Sequence, residues 1–212
     1  MKKTILLAAL AMLCIPATGS AQKRPEAIRL SPKSDQGAVL IRVPIQPFTY
    51  ALQFSKNGKS GFLSRVYIMK IDAAAPGYRY IARTLSPGRY RLDNVWQQGA
   101  WTACMEQGTF EFTIEPGKIA YLGTFEVDGV LREIQSQAVE RGKTVVYGTD
   151  YMQGQAKISD EMVTGRDPAD LAEARRFADS SMNGSGALVA LADVGGTSFK
   201  TSGFNKSIKI CG

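Results

Sequence analysis

The sequence predicts a mainly β protein: an antiparallel β-sandwich followed by a C-terminal extension that contains one helix. Three observations carry this. Short alternations of apolar and polar residues recur from Ala38 to Asp128, parted by turns rich in glycine and proline. The stretch Gly108 to Asp128 is the clearest of them, with Pro116-Gly117 at its centre. After Gly129 the composition changes, and Asp167-Pro168 marks a helix start.

Gln22 to Gln36 is polar, holds Pro25 and Pro32, and reads as a mobile lead-in. Ala38 to Val43 is a first strand, ended by Pro44. Phe48, Tyr50, Leu52 and Phe54 alternate with polar or small residues as a second, and Lys56 to Gly61 is a turn. Arg65 to Asp72, Tyr78 to Leu85, Arg89 to Val95 and Trp101 to Met105 follow, with Ser86-Pro87-Gly88 and Gln97-Gln98-Gly99 as breaks. Phe110, Phe112 and Ile114 then alternate with Thr109, Glu111, Thr113 and Glu115. Ile119, Tyr121, Gly123, Phe125 and Val127 share one parity beyond the turn. Proline presets φ and glycine supplies positive φ in Glu115-Pro116-Gly117-Lys118, so the two strands read as a hairpin. In that register Ile114 faces Ile119, Phe112 faces Tyr121, and the large apolar residues share one buried face.

Leu131 to Gln137 and Lys143 to Tyr147 read as short strands. Asp167 is an N-cap with proline at the first helical position, and Leu171, Ala174, Phe177 and Ala178 recur at helical spacing to about Met182. Ala187 to Val194 is either a buried strand or a packing segment, Gly195-Gly196 a turn, and Ser207 to Cys211 a final strand. The expected organisation is residues 1–21 as signal peptide, 22–36 as lead-in, 37–137 as sandwich, and 138–212 as an extension packed upon it.

The signal peptide rests on Met1-Lys2-Lys3, the apolar run Ile5 to Ala17, and the small residues Gly19-Ser20-Ala21. The run is shorter than the roughly 20 residues a membrane span needs. Export with cleavage near Ala21 places the chain in the periplasm or outside the cell. Loss of Lys2 and Lys3 lowers the formal charge from +7 to +5. Lysine and arginine are scattered, which is not the dense field of a nucleic-acid binder. Cys104 and Cys211 remain after cleavage, an even pair that in an exported protein points to a disulfide. Closing a loop of about 100 residues stabilises by up to about 4.7 kcal/mol.

Ser86-Pro87-Gly88-Arg89-Tyr90-Arg91-Leu92, followed by a second strand, Pro-Gly-Lys turn and Ala120-Tyr121-Leu122-Gly123, resembles bacterial envelope proteins of unknown function. These have a small immunoglobulin- or prealbumin-like sandwich, and many are lipoproteins. The resemblance covers about Ala38 to Leu131 and implies no catalytic residues. The chain departs from the lipoprotein members at Leu13-Cys14, where lipoprotein signals carry a small residue before the cysteine.

The chain has no histidine. That excludes Ser-His-Asp and Cys-His catalysis and histidine metal sites. Two cysteines without histidine do not make a zinc site, so neither metal nor cofactor is expected. Carboxylate pairs remain: Glu111 with Glu115 on one strand face, and Glu126 with Asp128 at the polar parity of the next. Glycoside hydrolysis needs two such groups about 5–10 Å apart. Their sequence context reads as a solvated sheet face. Ser55-Lys56, Ser60 with Lys59, and Ser207 with Lys206 or Lys209 could offer Ser-Lys chemistry, but none of these pairs has the SxxK spacing. Arg79, Arg83, Arg89 and Arg91 flank one turn and would clamp an anion only in a shifted strand register. Tyr78, Tyr80, Tyr90 and Trp96 could stack on a sugar, although aromatics at strand spacing more often fill a core. The expected function is a non-enzymatic binding or scaffolding role in the bacterial envelope, toward a protein or a glycan. The alternative is a carboxylate-dependent glycan hydrolase or sugar-binding protein.

Overall fold

Two β-sheets face one another in a computed structural model that describes residues 28–56, 66–105, 109–140, 152–155, 162–182 and 186–197. Sheet A runs β10 (Val163–Thr164), β8 (Lys118–Phe125), β1 (Gly37–Ile45), β4 (Gly77–Leu85), with β11 (Leu188–Leu191) also paired to β8. Sheet B runs β12 (Gly195–Thr197), β7 (Thr109–Ile114), β5 (Gly88–Gln97), β2 (Tyr50–Lys56), β3 (Val66–Ile71). In the same sheet β6 (Trp101–Cys104) pairs with β5, and β9 (Met152–Gln155) with β6. The mainly β sandwich is thus as expected. Most pairs are antiparallel, while β1–β8, β8–β11 and β6–β9 are parallel.

The main core lies between the sheets. Val39, Ile41 and Val43 of β1 meet Tyr50, Leu52 and Phe54 of β2, Tyr90 and Leu92 of β5, and Phe112 and Ile114 of β7. A second core covers the other face of sheet A. There Ala38, Leu40, Ile119 and Tyr121 pack against Ala174, Ala178 and Met182 of helix α2 (Pro168–Ser181) and its end. Sheet A is therefore buried on both faces, which explains why Ala38 to Val43 is nearly continuous apolar sequence. Ile28 and Leu30, read as part of a mobile lead-in, are buried in this second core.

The hairpin expected at Pro116-Gly117 does not form. β7 pairs with β5 and β12, whereas β8 pairs with β1, β10 and β11. The turn chemistry is as read: Gly117 has φ +65°, and Lys118 Nζ lies 2.5 Å from Glu115 Oε2. The turn arches from one sheet to the other, because β8 must be buried on both sides and only sheet A offers that. Ser86-Pro87 makes a second arch, with β4 in sheet A and β5 in sheet B.

The single parity read from Ile119 to Val127 also breaks. The β1–β8 register shifts between Leu40, opposite Tyr121, and Arg42, opposite Thr124. Gly123, at φ +104°, sits in this bulge. Tyr121 before it points to α2, while Phe125 after it joins the main core. The chain segment Met162 to Asp167 crosses here, and a Cβ at Gly123 would meet Thr164 O at 2.5 Å and Arg166 Cγ at 2.7 Å.

Other expectations need correction. Val127–Glu140 is a helix, α1, not a strand end followed by Leu131 to Gln137 as a strand. Its buried Val127, Val130, Leu131, Ile134 and Ala138 follow helical spacing. β1 runs through Pro44, opposite Tyr78, beyond the last β8 partner. Gly195-Gly196 is not a turn but part of β12, opposite Glu111 and Phe110. Lys143 to Tyr147, Ser207 to Cys211 and the expected signal peptide lie outside the described residues, as does the side chain of Phe110. Helix α2 begins as read, with Asp167 Oδ1 accepting from Asp170 N at 2.8 Å and Pro168 in the first turn.

Gly123→Ala is expected to destabilise the protein by more than about 1 kcal/mol, because it adds collision to positive φ. Gly99, at φ +75° with open space about its Cα, is the control and loses less on the same change. Urea unfolding of both variants checks the order.

Candidate functional site

The outer side of sheet A, past the start of α2, gathers several of the singled-out residues. Strand register places Tyr78 opposite Pro44 and Tyr80 opposite Arg42. The α2 start brings Asp170 to 3.3 Å and Glu173 to 3.8 Å from Arg42 Nη1. So held, the Arg42 guanidinium lies 4.7 Å from the centre of the Tyr78 ring. Tyr78 is nonetheless 54% exposed. Its hydroxyl is 3.5 Å from both oxygens of Glu126, and Thr164 Oγ1 donates to Glu126 Oε1 at 3.2 Å. Gln46 Nε2 donates to Asp128 Oδ1 at 3.0 Å in the first turn of α1. The result is a fixed aromatic ring beside carboxylate acceptors with spare lone pairs.

The other aromatics do not join it. Tyr80 stacks on Phe177 at 4.7 Å, and Tyr90 is in the main core. Trp96 lies in sheet B. Nor do the other two acids. Glu115 is exposed and paired with Lys118. Glu111, read as solvated, is only 7% exposed. It faces away from the core, opposite Arg91 on one side and Gly195 on the other, and forms an ion pair with Arg89. The addition of β12 to the β7 edge makes this position internal to the sheet, which periodicity alone does not reveal.

Beside Glu111 lies a buried polar group at the β2–β5 bulge. Arg91 Nε donates to Asp93 Oδ1 at 2.8 Å and to Ser55 Oγ at 3.2 Å, and Ser55 Oγ donates to Asp93 Oδ1 at 3.0 Å. Burial nevertheless pushes the Asp93 carboxyl above the usual carboxylate range, against the pull of Arg91 and Ser55. The four arginines do not assemble an anion clamp. Arg79 donates to Asp72 O at 2.9 Å, Arg83 donates to Ile68 O, Arg89 meets Glu111 and Arg91 meets Asp93.

Ser-Lys geometry does occur, at a pair the sequence spacing did not suggest. Lys56 Nζ donates to Ser86 Oγ at 3.2 Å and to Pro87 O. The Tyr90 hydroxyl donates to Ser86 O at 2.6 Å and lies 3.1 Å from Ser86 Oγ. The phenol proton is spent on the carbonyl, so Ser86 Oγ is the donor to Tyr90. Lys56 thus acts as an ammonium donor locking the arch, and the serine proton points away from it. Ser55 is engaged with Asp93, while Ser60, Lys59, Ser207, Lys206 and Lys209 lie outside the described residues.

Cys104 ends β6 and is 2% exposed, and its expected partner Cys211 lies outside the described residues. Among the described residues no three His, Cys, Asp or Glu side chains converge as a metal site. No described helix is long and apolar enough to cross a membrane. No family model, no curated protein and no solved structure matches the chain.

A carboxyl raised in the fold favours the folded state while protonated, and that contribution fades as pH rises through its folded value. Asp93→Asn is therefore expected to gain stability relative to the parent as pH climbs from about 4 toward neutrality. Urea unfolding of both proteins across that range checks it. A variant that instead loses ground would mean the Arg91 attraction outweighs burial.

Proposed function

We propose that this chain is an exported, non-enzymatic β-sandwich with a binding role in the bacterial envelope. Export is supported by the basic start, short apolar run and small residues up to Ala21. The observation that carries the binding reading is the distribution of polar groups. Lys56, Ser86, Asp93 and Arg91 are bonded to one another or to backbone, inside structural locks. Tyr78 instead has its ring backed by Arg42 and is, as a residue, more than half exposed. Locked groups stabilise a scaffold, and an exposed, oriented ring suits recognition.

The hydrolase alternative has less support. It needs two acids facing one bond, and the four candidates are divided. Glu111 is buried on sheet B, Glu115 sits in the arch, and only Glu126 and Asp128 are near one another in the chain. Incubation of the purified mature protein with envelope polysaccharides and peptides is expected to give no turnover. Product formation abolished by Glu126→Gln would overturn the reading.

The Cys104–Cys211 disulfide belongs to the same proposal. β12 runs antiparallel to β7 with Thr197 opposite Thr109, so the chain leaves it heading toward β6, where Cys104 lies. The 14 positions from Thr197 to Cys211 exceed what that gap requires at about 3.3 Å per residue. Alkylation of the unfolded, unreduced exported protein should label neither cysteine, and labelling of both would refute the bond.

A further inference from the structure

The end of sheet A around Tyr78 carries more than a general binding role. We infer that it is a glycan subsite, taking a pyranose ring with neutral hydroxyl or N-acetyl substituents. This rests on the non-enzymatic binding reading and names its ligand class.

The aromatic ring comes first. Sugars present a face of C–H groups that packs on an aromatic surface, and this is most effective when the ring is already fixed. Tyr78 meets that condition. One side is backed by Arg42, whose guanidinium is 4.7 Å from the ring centre and is itself held by Asp170 at 3.3 Å. The hydroxyl is tethered near Glu126, at 3.5 Å from each oxygen. The residue as a whole remains 54% exposed. A lone surface tyrosine would keep its rotamer freedom and lose it on binding, which weakens the complex.

The polar rim selects the ligand. Glu126 is the acceptor beside the ring: Thr164 Oγ1 donates to it at 3.2 Å and the Tyr78 hydroxyl lies 3.5 Å from each oxygen, both neutral hydroxyl donors. A carboxylate has about four acceptor positions, so capacity remains for further O–H or N–H groups. Arg42 is the cation at the ring, and Asp170 and Glu173 offset it. Around the ring the carboxylates of Glu126, Asp170 and Glu173 outnumber the Arg42 guanidinium. Hydroxyl and amide N–H donors fit this rim, while phosphorylated or carboxylated sugars meet like charge. The site differs in this from the whole chain, whose formal charge is +7.

The test uses the mature exported protein and soluble oligomers of N-acetylglucosamine, titrated by calorimetry and by NMR. Saturable binding is expected, with Tyr78→Ala weakening it at least tenfold while the thermal midpoint stays within about a degree of the parent. Tyr78→Trp should retain it, because the ring surface carries the contact. Glu126→Gln should weaken it severalfold. Absence of saturable binding, or a Tyr78→Ala variant that binds like the parent, overturns the subsite. Shortening of the oligomers in the same samples would overturn the non-enzymatic reading instead, so the two failures are distinguishable.

Discussion

The fold depends on one strand serving two hydrophobic layers. β8 pairs with β1, β10 and β11, and no other described strand of sheet A has three partners. Before Gly123 its Ile119 and Tyr121 face α2, and after it Phe125 faces sheet B. The bulge makes that switch possible, and it frees backbone groups that need partners. The segment that crosses it supplies them. Met162 O accepts from Glu126 N at 2.9 Å, Gly165 O accepts from the Tyr121 hydroxyl at 3.0 Å, and Arg166 donates to Leu122 O and Ala192 O at 2.6 Å each. Burial lowers the Arg166 pKa from its ordinary value, but an arginine stays charged, so these carbonyls keep a charged donor. α2 starts directly after this segment, which sets where Asp170 meets Arg42 and so how Tyr78 is held.

Local chemistry was legible in the sequence and long-range pairing was not. Pro116-Gly117 announced a turn and a left-handed glycine, both of which are present. Nothing local distinguishes a turn that returns into the same sheet from one that arches to the other. The distinction lies in the strand beyond it. Ile119, Tyr121, Leu122 and Phe125 are apolar on both parities, the mark of a strand buried on two faces, and a hairpin in a two-layer sandwich leaves one of them wet. Likewise Val130, Leu131 and Ile134 carry helical spacing that a short window reads as a strand. Asp167-Pro168 was unambiguous because capping is decided within four residues.

The candidate site shows the same boundary. Tyr78, Glu126 and Asp128 were visible as residue types, yet Asp128 was placed on a strand and Tyr78 among core aromatics. Their partners are Arg42 in β1, itself held by Asp170 in α2, Gln46 after β1 and Thr164 in β10, which are far apart in the chain. Arg42 alone had a local signal: it is the single charge within Ala38 to Val43, a strand otherwise apolar. A charge there has to meet a partner on the outer face, and that partner was bound to come from whatever covers the sheet.

Several of the basic side chains are taken up by backbone carbonyls. Arg79 donates to Asp72 O and Arg83 to Ile68 O, reaching from the edge strand of sheet A to the edge strand of sheet B and its end. Arg166 serves Leu122 and Ala192, Arg175 serves Val189 O at 3.1 Å, and Lys56 serves Pro87. Each of these cations meets a carbonyl at a strand edge, a bulge or an arch, where the regular ladder has ended. A sandwich joined by arches has more such places than one joined by hairpins, because its sheets are open along their sides. Long cationic side chains can cross that gap while keeping their apolar stems against the core. Lys56, Arg79, Arg83, Arg166 and Arg175 thus use their charge to tie the scaffold together. None of these five cations is the one at Tyr78, where Arg42 is offset by Asp170 and Glu173.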